Sequence, residues 1–162
     1  MSNGLPCSYP TDRLDQGRRT GLILCGMGGP DGPDAVRPFL RNLFSDPMIF
    51  PVPRPFNTVL GAMIAALRTP GVKKRYLEVS PDGRTPQLDT TMAQSKALAE
   101  RLTAAGLPTE AGMAMRYWRP WPEDTVAEML EAGCEQFILV PTYPQYSCAT
   151  NGATLSLSLI HI

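Results

Sequence analysis

At 162 residues the chain has the length of one domain and enough of it to bury a core. Hydrophobic content of 43% and charged content of 19% are those of an ordinary soluble protein. The net charge of +0 excludes a field that would gather nucleic acid, so no nucleic-acid partner is expected.

Residues 1–19 lack the apolar core of a signal peptide, and their polar composition predicts a disordered lead-in. Gly21 to Met27 reads as an apolar strand. It runs into Gly28-Gly29-Pro30-Asp31-Gly32-Pro33, a tight turn that brings backbone close to whatever binds there. A dinucleotide loop is excluded, because no glycine falls in the third slot of a GxGxxG pattern.

Asp34 to Phe44 has helical spacing in Val36, Phe39, Leu40, Leu43 and Phe44, with Asp34 as N-cap or first-turn carboxylate. Those apolar residues either dock the helix on the core or form a lip over a flat ligand. Asp46-Pro47 ends the helix. Ile49 to Pro55 is extended. Thr58 to Leu67 is a second apolar helix, closed by Arg68-Thr69-Pro70. Val72 to Val79 then carries Lys73, Lys74, Arg75 and Tyr76, which suit either a solvated face or the capture of carboxylates.

Pro81 to Pro86 is a loop. Gln87 to Ala105 is a long helix with Leu88, Met92, Ser95, Leu98, Ala99 and Leu102 on one side. Thr109 to Tyr117 is a strand ending in Met115-Arg116-Tyr117-Trp118. Pro122 to Ala132 is a helix with Glu123 and Asp124 in its first turn. Gln136 to Thr142 reads as a buried strand, since Phe137 to Val140 is apolar without alternation. Pro141 and Pro144 turn it into a loop of hydroxyls and amides.

Strands separated by helices predict an α/β fold with a parallel sheet and right-handed crossovers. The three strands then open at one edge, where such sheets bind ligands. The four cysteines form no CxxC pair, which excludes a zinc ribbon or thioredoxin motif and fits a reducing cytoplasm. Cys25 and Cys134 read as buried thiols. The mouth offers Met27, Tyr117, Trp118, Tyr143, Tyr146, arginines and hydroxyls, but no histidine and no paired carboxylates. That set is poorly equipped for general base catalysis and suits a large, flat, apolar ligand with acidic substituents.

The segments LILCGMGGP, PFLRNLFSDP, RTP with a following tyrosine, MRYWRPWPEDTVAEM and PTYPQYSCATNGATL, in this order from about Thr20 to Leu155, resemble the N-terminal half of the ferrochelatase family. The resemblance implies a Rossmann-like, three-layer αβα lobe of a normally two-lobed lyase that inserts Fe²⁺ into a porphyrin, protoporphyrin or coproporphyrin, in haem synthesis. It implies that Met27 lies against the macrocycle and that Phe39, Leu40, Leu43 and Phe44 form one lip of the cleft. Arg68 and Tyr76 would hold propionates. Arg116, Tyr117, Tyr143 and Ser147 would line the pocket floor. Cys148 is similar to a position that ligates a [2Fe–2S] cluster in some members, with three further cysteines that this chain lacks, so a cluster is expected only in a full-length protein. A peripheral membrane contact is also an expectation of the resemblance.

The family's Gly-Ser-Pro stands here as Gly83-Arg84-Thr85-Pro86, with Ser80 and Thr85 both candidates for the serine role. The family's catalytic histidine and glutamate come from the other lobe, and His161 lies too close to the tyrosine loop to replace that histidine. Residues 156–162 match the family poorly. The expectation is an inactive fragment whose lobe spans residues 20–155, and the competing expectation is a non-catalytic tetrapyrrole-binding module.

Overall fold

The computed structural model describes residues 14–156. The expected disorder of residues 1–13, the tail from 157 and His161 lie outside these. The centre is β1, Thr20–Gly26, in which every residue is buried. On one side it pairs in parallel with β2, Thr109–Met115, from Thr20 opposite Thr109 to Gly26 opposite Met115. On the other it pairs in parallel with β3, Gln136–Pro141, from Thr20 opposite Gln136 to Cys25 opposite Pro141. The sheet order is therefore β2-β1-β3.

The apolar run of β3 misleads about its depth. Its residues are only half-buried, because β3 is an edge strand of the described sheet, whereas β1, between two neighbours, is the buried one. Gln136 fastens the start of β3 to the segment before β1. Its Nε2 donates to Asp15 O at 2.7 Å and to Thr20 Oγ1 at 2.8 Å.

Between β1 and β2 run α1 (Val36–Phe44), α2 (Phe56–Val79) and α3 (Gln87–Ala104); α4 (Pro122–Glu131) joins β2 to β3. The chain leaves β1 toward β2 and then crosses back past β1 to β3. Right-handed crossovers in opposite directions put their helices on opposite faces. On one face Met129 and Val126 of α4 pack with Ile23, Cys25, Ala114, Cys134, Phe137 and Leu139. α3 buries Leu88, Thr91, Ser95 and Ala99, and Ser95 Oγ donates to Gly112 O at 2.7 Å. Leu98, expected on the inner side of α3, is exposed.

A further core forms where α1 lies on α2. Val36, Phe39, Leu40, Ala65 and Tyr117 are buried together, with Met27, Leu43, Phe44, Val72, Tyr76 and Trp118 packed around them. The Asp34 cap is not made: α1 starts after Ala35 without a side-chain cap, and Asp34 instead pairs with Lys73 Nζ at 3.3 Å.

The larger departure is α2. The sequence predicts a stop at Pro70, yet one 24-residue helix runs through it. An interior proline removes a ladder bond and costs about 3 kcal/mol. Two compensations are visible. Thr69 Oγ1 donates to Ala65 O at 2.6 Å. Ala65 before the proline and Val72 and Tyr76 after it dock on one apolar cluster, so breaking the helix would forfeit packing on both sides. No helix of the described residues is long and apolar enough to cross a membrane.

The two lip helices touch at Gly61. A Cβ there would lie 2.8 Å from Ser45 N and 2.9 Å from Phe44 C, backbone atoms that cannot swing aside. Gly61→Ala should therefore lower stability by roughly 1–2 kcal/mol even though alanine favours a helix by about 1 kcal/mol, since overpacking costs about 1–3 kcal/mol. Urea denaturation of the two proteins checks this, and an unchanged or raised midpoint would show that the helices do not meet there.

Candidate functional site

Parallel pairing delivers the ends of all three strands to one sheet edge, and short backbone bonds lock them together. Arg116 N donates to Gly26 O at 3.0 Å and Tyr117 N to Met27 O at 3.1 Å. Thr142 N donates to Cys25 O at 2.8 Å, and Thr142 Oγ1 donates to the same oxygen at 3.0 Å. Gly28, at φ +82°, turns the chain out of β1 so closely that a Cβ would sit 2.9 Å from Met115 Cβ. Only glycine allows the backbone to pass there.

At this edge lies a group that the linear sequence does not announce. Asp46 and Arg116 form an ion pair whose side chains are 7% and 11% exposed. Arg116 Nε donates to Asp46 Oδ2 at 2.7 Å, and Tyr117 Oη donates to the same oxygen at 2.7 Å. Met48 N donates to Asp46 Oδ1 at 2.8 Å. Arg116 Nη1 donates to Ala153 O, beyond β3. One guanidinium thus joins the end of β2, the α1–α2 connection and the chain that follows β3. Sequence reasoning makes Asp46 only a helix stop; the signal available was an Asp-Pro turn in a chain with an arginine and tyrosine at a strand end.

The electrostatics follow from this arrangement. Burial alone would push the Asp46 carboxyl up, but the hydrogen bonds from Arg116, Met48 and Tyr117, together with the Arg116 charge, outweigh it and hold the carboxyl below its ordinary value. Burial, then the bond to Asp46, raises the Tyr117 hydroxyl. Tyr143 is likewise raised, chiefly by burial, and its Oη accepts a bond from Thr154 Oγ1 at 3.5 Å.

The residues singled out from sequence fall into three groups. Met27, Phe39, Leu40, Leu43, Phe44, Tyr76 and Tyr117 come together in the core between α1 and α2. Within it Phe39, Leu40 and Tyr117 are 3–5% exposed and pack inward, so among the described residues the surface of this lip comes from half-buried Leu43 and Phe44. Arg68 is exposed, with its guanidinium 5.6 Å from the centre of the Phe44 ring. Unlike Arg116, it has no carboxylate partner among the described residues. Tyr76 is half-buried, which raises its hydroxyl.

Arg116 and Tyr143 sit at the edge itself, linked through the stretch Ala153–Thr154. Ser147 and Cys148 form the third group, exposed on the loop after β3. Ser147 Oγ lies 2.6 Å from Thr150 Oγ1 where Cys148–Gly152 makes a π-helical turn, a feature that the sequence presents only as a polar loop. Of the two candidates for the serine role, Thr85 is the one at the mouth: its N–H donates to Pro30 O at 3.2 Å. Ser80 is bonded to Asp82.

Known proteins share the sequence that builds this edge. The profile of the ferrochelatase family matches residues 19–158. The chain belongs to the ferrochelatase family. It is 44% identical over 138 residues to a ferrochelatase of Aquifex aeolicus, a match covering 85% of this chain and 42% of that protein. It is 41% identical over 143 residues to one of Hyphomonas neptunium, covering 86% and 40%. A ferrochelatase of Gloeobacter violaceus is 39% identical over 138 residues, covering 85% and 42%. The chain spans about two fifths of the length of these curated relatives. The fold agrees, being one Rossmann-like α/β lobe with a parallel sheet flanked by helices.

A [2Fe–2S] cluster takes four ligands. No group of three or more histidine, cysteine or acidic side chains comes together among the described residues. Cys148 is exposed, while Cys25 and Cys134 are buried. Burial pushes the Cys25 thiol up to about 12, far from the thiolate a metal requires. These residues do not fit the cluster.

Because the unfolded chain binds the Asp46 proton at higher pH than the folded one, the ion pair's contribution is complete above about pH 5 and drains away as pH falls through the folded value. The stability gap between the wild type and Asp46→Asn should therefore be widest at neutral pH and narrow steadily toward about pH 3. Urea midpoints of both proteins across that range check this; a gap independent of pH would contradict the assigned charge state.

Proposed function

We propose that this lobe is the porphyrin-gripping half of a ferrochelatase, the enzyme that inserts Fe²⁺ into a porphyrin for haem, and that the chain as given binds the macrocycle without metallating it. The observation that carries this reading is the convergence of Met27, Arg116, Tyr117 and Tyr143 at one sheet edge, beside the Leu43–Phe44 lip, in a chain of this family. Apolar surface there suits the ring faces, and the unpartnered Arg68 on the lip suits a peripheral carboxylate. Binding energy spent on the rim would favour a bent macrocycle with exposed nitrogen lone pairs. Pyrrole protons need a base. The carboxylate at this edge, Asp46, is engaged by three donors, and no histidine lies among the described residues. Titrating the purified chain with a dicarboxylic porphyrin should shift its Soret band with saturation, while the same protein given Fe²⁺ under reducing conditions should form no metalloporphyrin above the protein-free rate. Absence of the Soret shift overturns the binding assignment, and turnover overturns the inactivity.

A peripheral lipid contact belongs to the same proposal, and α2 supports it. Phe56, Val59, Met63 and Leu67 recur every three or four residues and are 69%, 69%, 55% and 76% exposed. This stripe lies opposite the side that packs on α1, which makes α2 apolar on two faces. The helix also carries Arg68, Lys73, Lys74 and Arg75 against Glu78 alone. An apolar stripe with a cationic flank fits an anionic lipid surface. The chain should sediment with vesicles of anionic phospholipid and much less with zwitterionic ones, and Met63→Asp with Leu67→Asp should abolish this. No sedimentation, or a concentration-dependent dimer in its place, refutes the lipid assignment.

A further inference from the structure

Two arginines are available to an acidic ligand at this lobe, and the structure treats them in opposite ways. Arg68 lies on the exposed lip over Phe44 without a carboxylate partner among the described residues. Arg116 is committed: Nε to Asp46 Oδ2, Nη1 to Ala153 O, and its guanidinium 5.6 Å from the centre of the Tyr117 ring. Asp46 is equally committed. Its Oδ2 accepts from both Arg116 and Tyr117, and its Oδ1 accepts from Met48 N. The pair is net neutral and almost wholly shielded from solvent.

We propose that Asp46 is a positioning and specificity residue: it neutralises Arg116 and fixes it as part of the wall, so that this lobe's discrimination between an acidic and a neutral porphyrin comes from Arg68 alone. The physical reason is competition for donors. A guanidinium has five N–H groups in a fixed fork. A carboxylate already seated on the Nε edge at 2.7 Å removes the positive potential that a ligand's carboxylate would otherwise meet there. Removing that charge while keeping the side chain's shape releases a cation at the rim. This inference rests on the porphyrin reading above.

The test uses two probes, a porphyrin with two free propionates and its dimethyl ester, titrated in the same detergent buffer. The readout is the ratio of their affinities, which loss of packing alone would not move, since both probes share one macrocycle. In Asp46→Asn the preference for the diacid should rise about tenfold, the scale of one hydrogen bond to a charged group. High salt should erase the rise. In Arg68→Gln, an exposed site whose substitution leaves the core intact, the wild-type preference should fall to near one. Tyr117→Phe, which keeps the ion pair, should leave the ratio unchanged. If Asp46→Asn does not fold, Arg68→Gln decides alone. A preference for the diacid that survives Arg68→Gln means that Arg116 already binds acid, and it overturns the proposal, as does an unchanged ratio in folded Asp46→Asn. Failure of the wild type to bind either probe overturns the porphyrin reading itself, a different outcome from binding with the wrong ratio.

Discussion

The buried pair between Asp46 and Arg116 is the constraint on which the mouth of this lobe depends. Each charge loses hydration on burial, and attraction alone seldom repays that loss. Here the remaining polar atoms are also met: Met48 N and Tyr117 Oη serve the carboxylate, and Ala153 O serves the guanidinium. Such a pair contributes modestly while intact, but removing one partner strands the other and costs on the order of 3–5 kcal/mol. Its value lies in geometry. The three segments it joins are separated in sequence by 70 residues between Asp46 and Arg116 and by 37 between Arg116 and Ala153. They would otherwise be connected at this edge by backbone bonds alone.

Behind the ion pair stands the topology. β1 is central because the chain first crosses to one side of it and then to the other, which buries both faces and both edges of a single seven-residue strand. The same path sends all three strands the same way. Residues just past the strand ends therefore meet whatever their sequence separation, and the helices on each face keep water from the backbone bonds that hold them in register.

How much of this is legible in the sequence varies with the range of the interactions involved. Element types and the parallel order follow from local period and turn residues, and the convergence at one edge follows from order alone. The expected break of α2 at Pro70 fails because a proline is a local signal, whereas Ala65, Val72 and Tyr76 docking on α1 is a tertiary one that overrides it. The expected burial of β3 fails because an apolar run reports the side chains' preference and not how many neighbours the strand has. Asp34 and Asp46 exchange importance for the same reason. Asp34 has the position of a cap and is instead a surface partner of Lys73. Asp46 has the position of punctuation, and its partner lies too far along the chain for any spacing rule to find. Motif resemblance does locate the site residues, since a family pattern carries long-range pairing implicitly, yet it does not distinguish the inward-facing Phe39 and Leu40 from the accessible lip.

The chemistry of the edge separates gripping a ligand from transforming it. A general base must have a free lone pair and a pKa near the working pH. Asp46 has neither: its oxygens are occupied by three donors, and those same bonds hold its proton affinity down. Tyr117 and Tyr143 are shifted the other way and stay protonated, as donors or apolar surface. The wall is therefore chemically quiet at neutral pH, with every strongly polar group at the Asp46 pair turned toward the protein. A flat apolar ring placed against such a wall would meet rigid surface with fixed dipoles and no proton acceptor. Any proton removed from that ring must leave on its other face, and that requirement follows from the hydrogen bonds of a single aspartate.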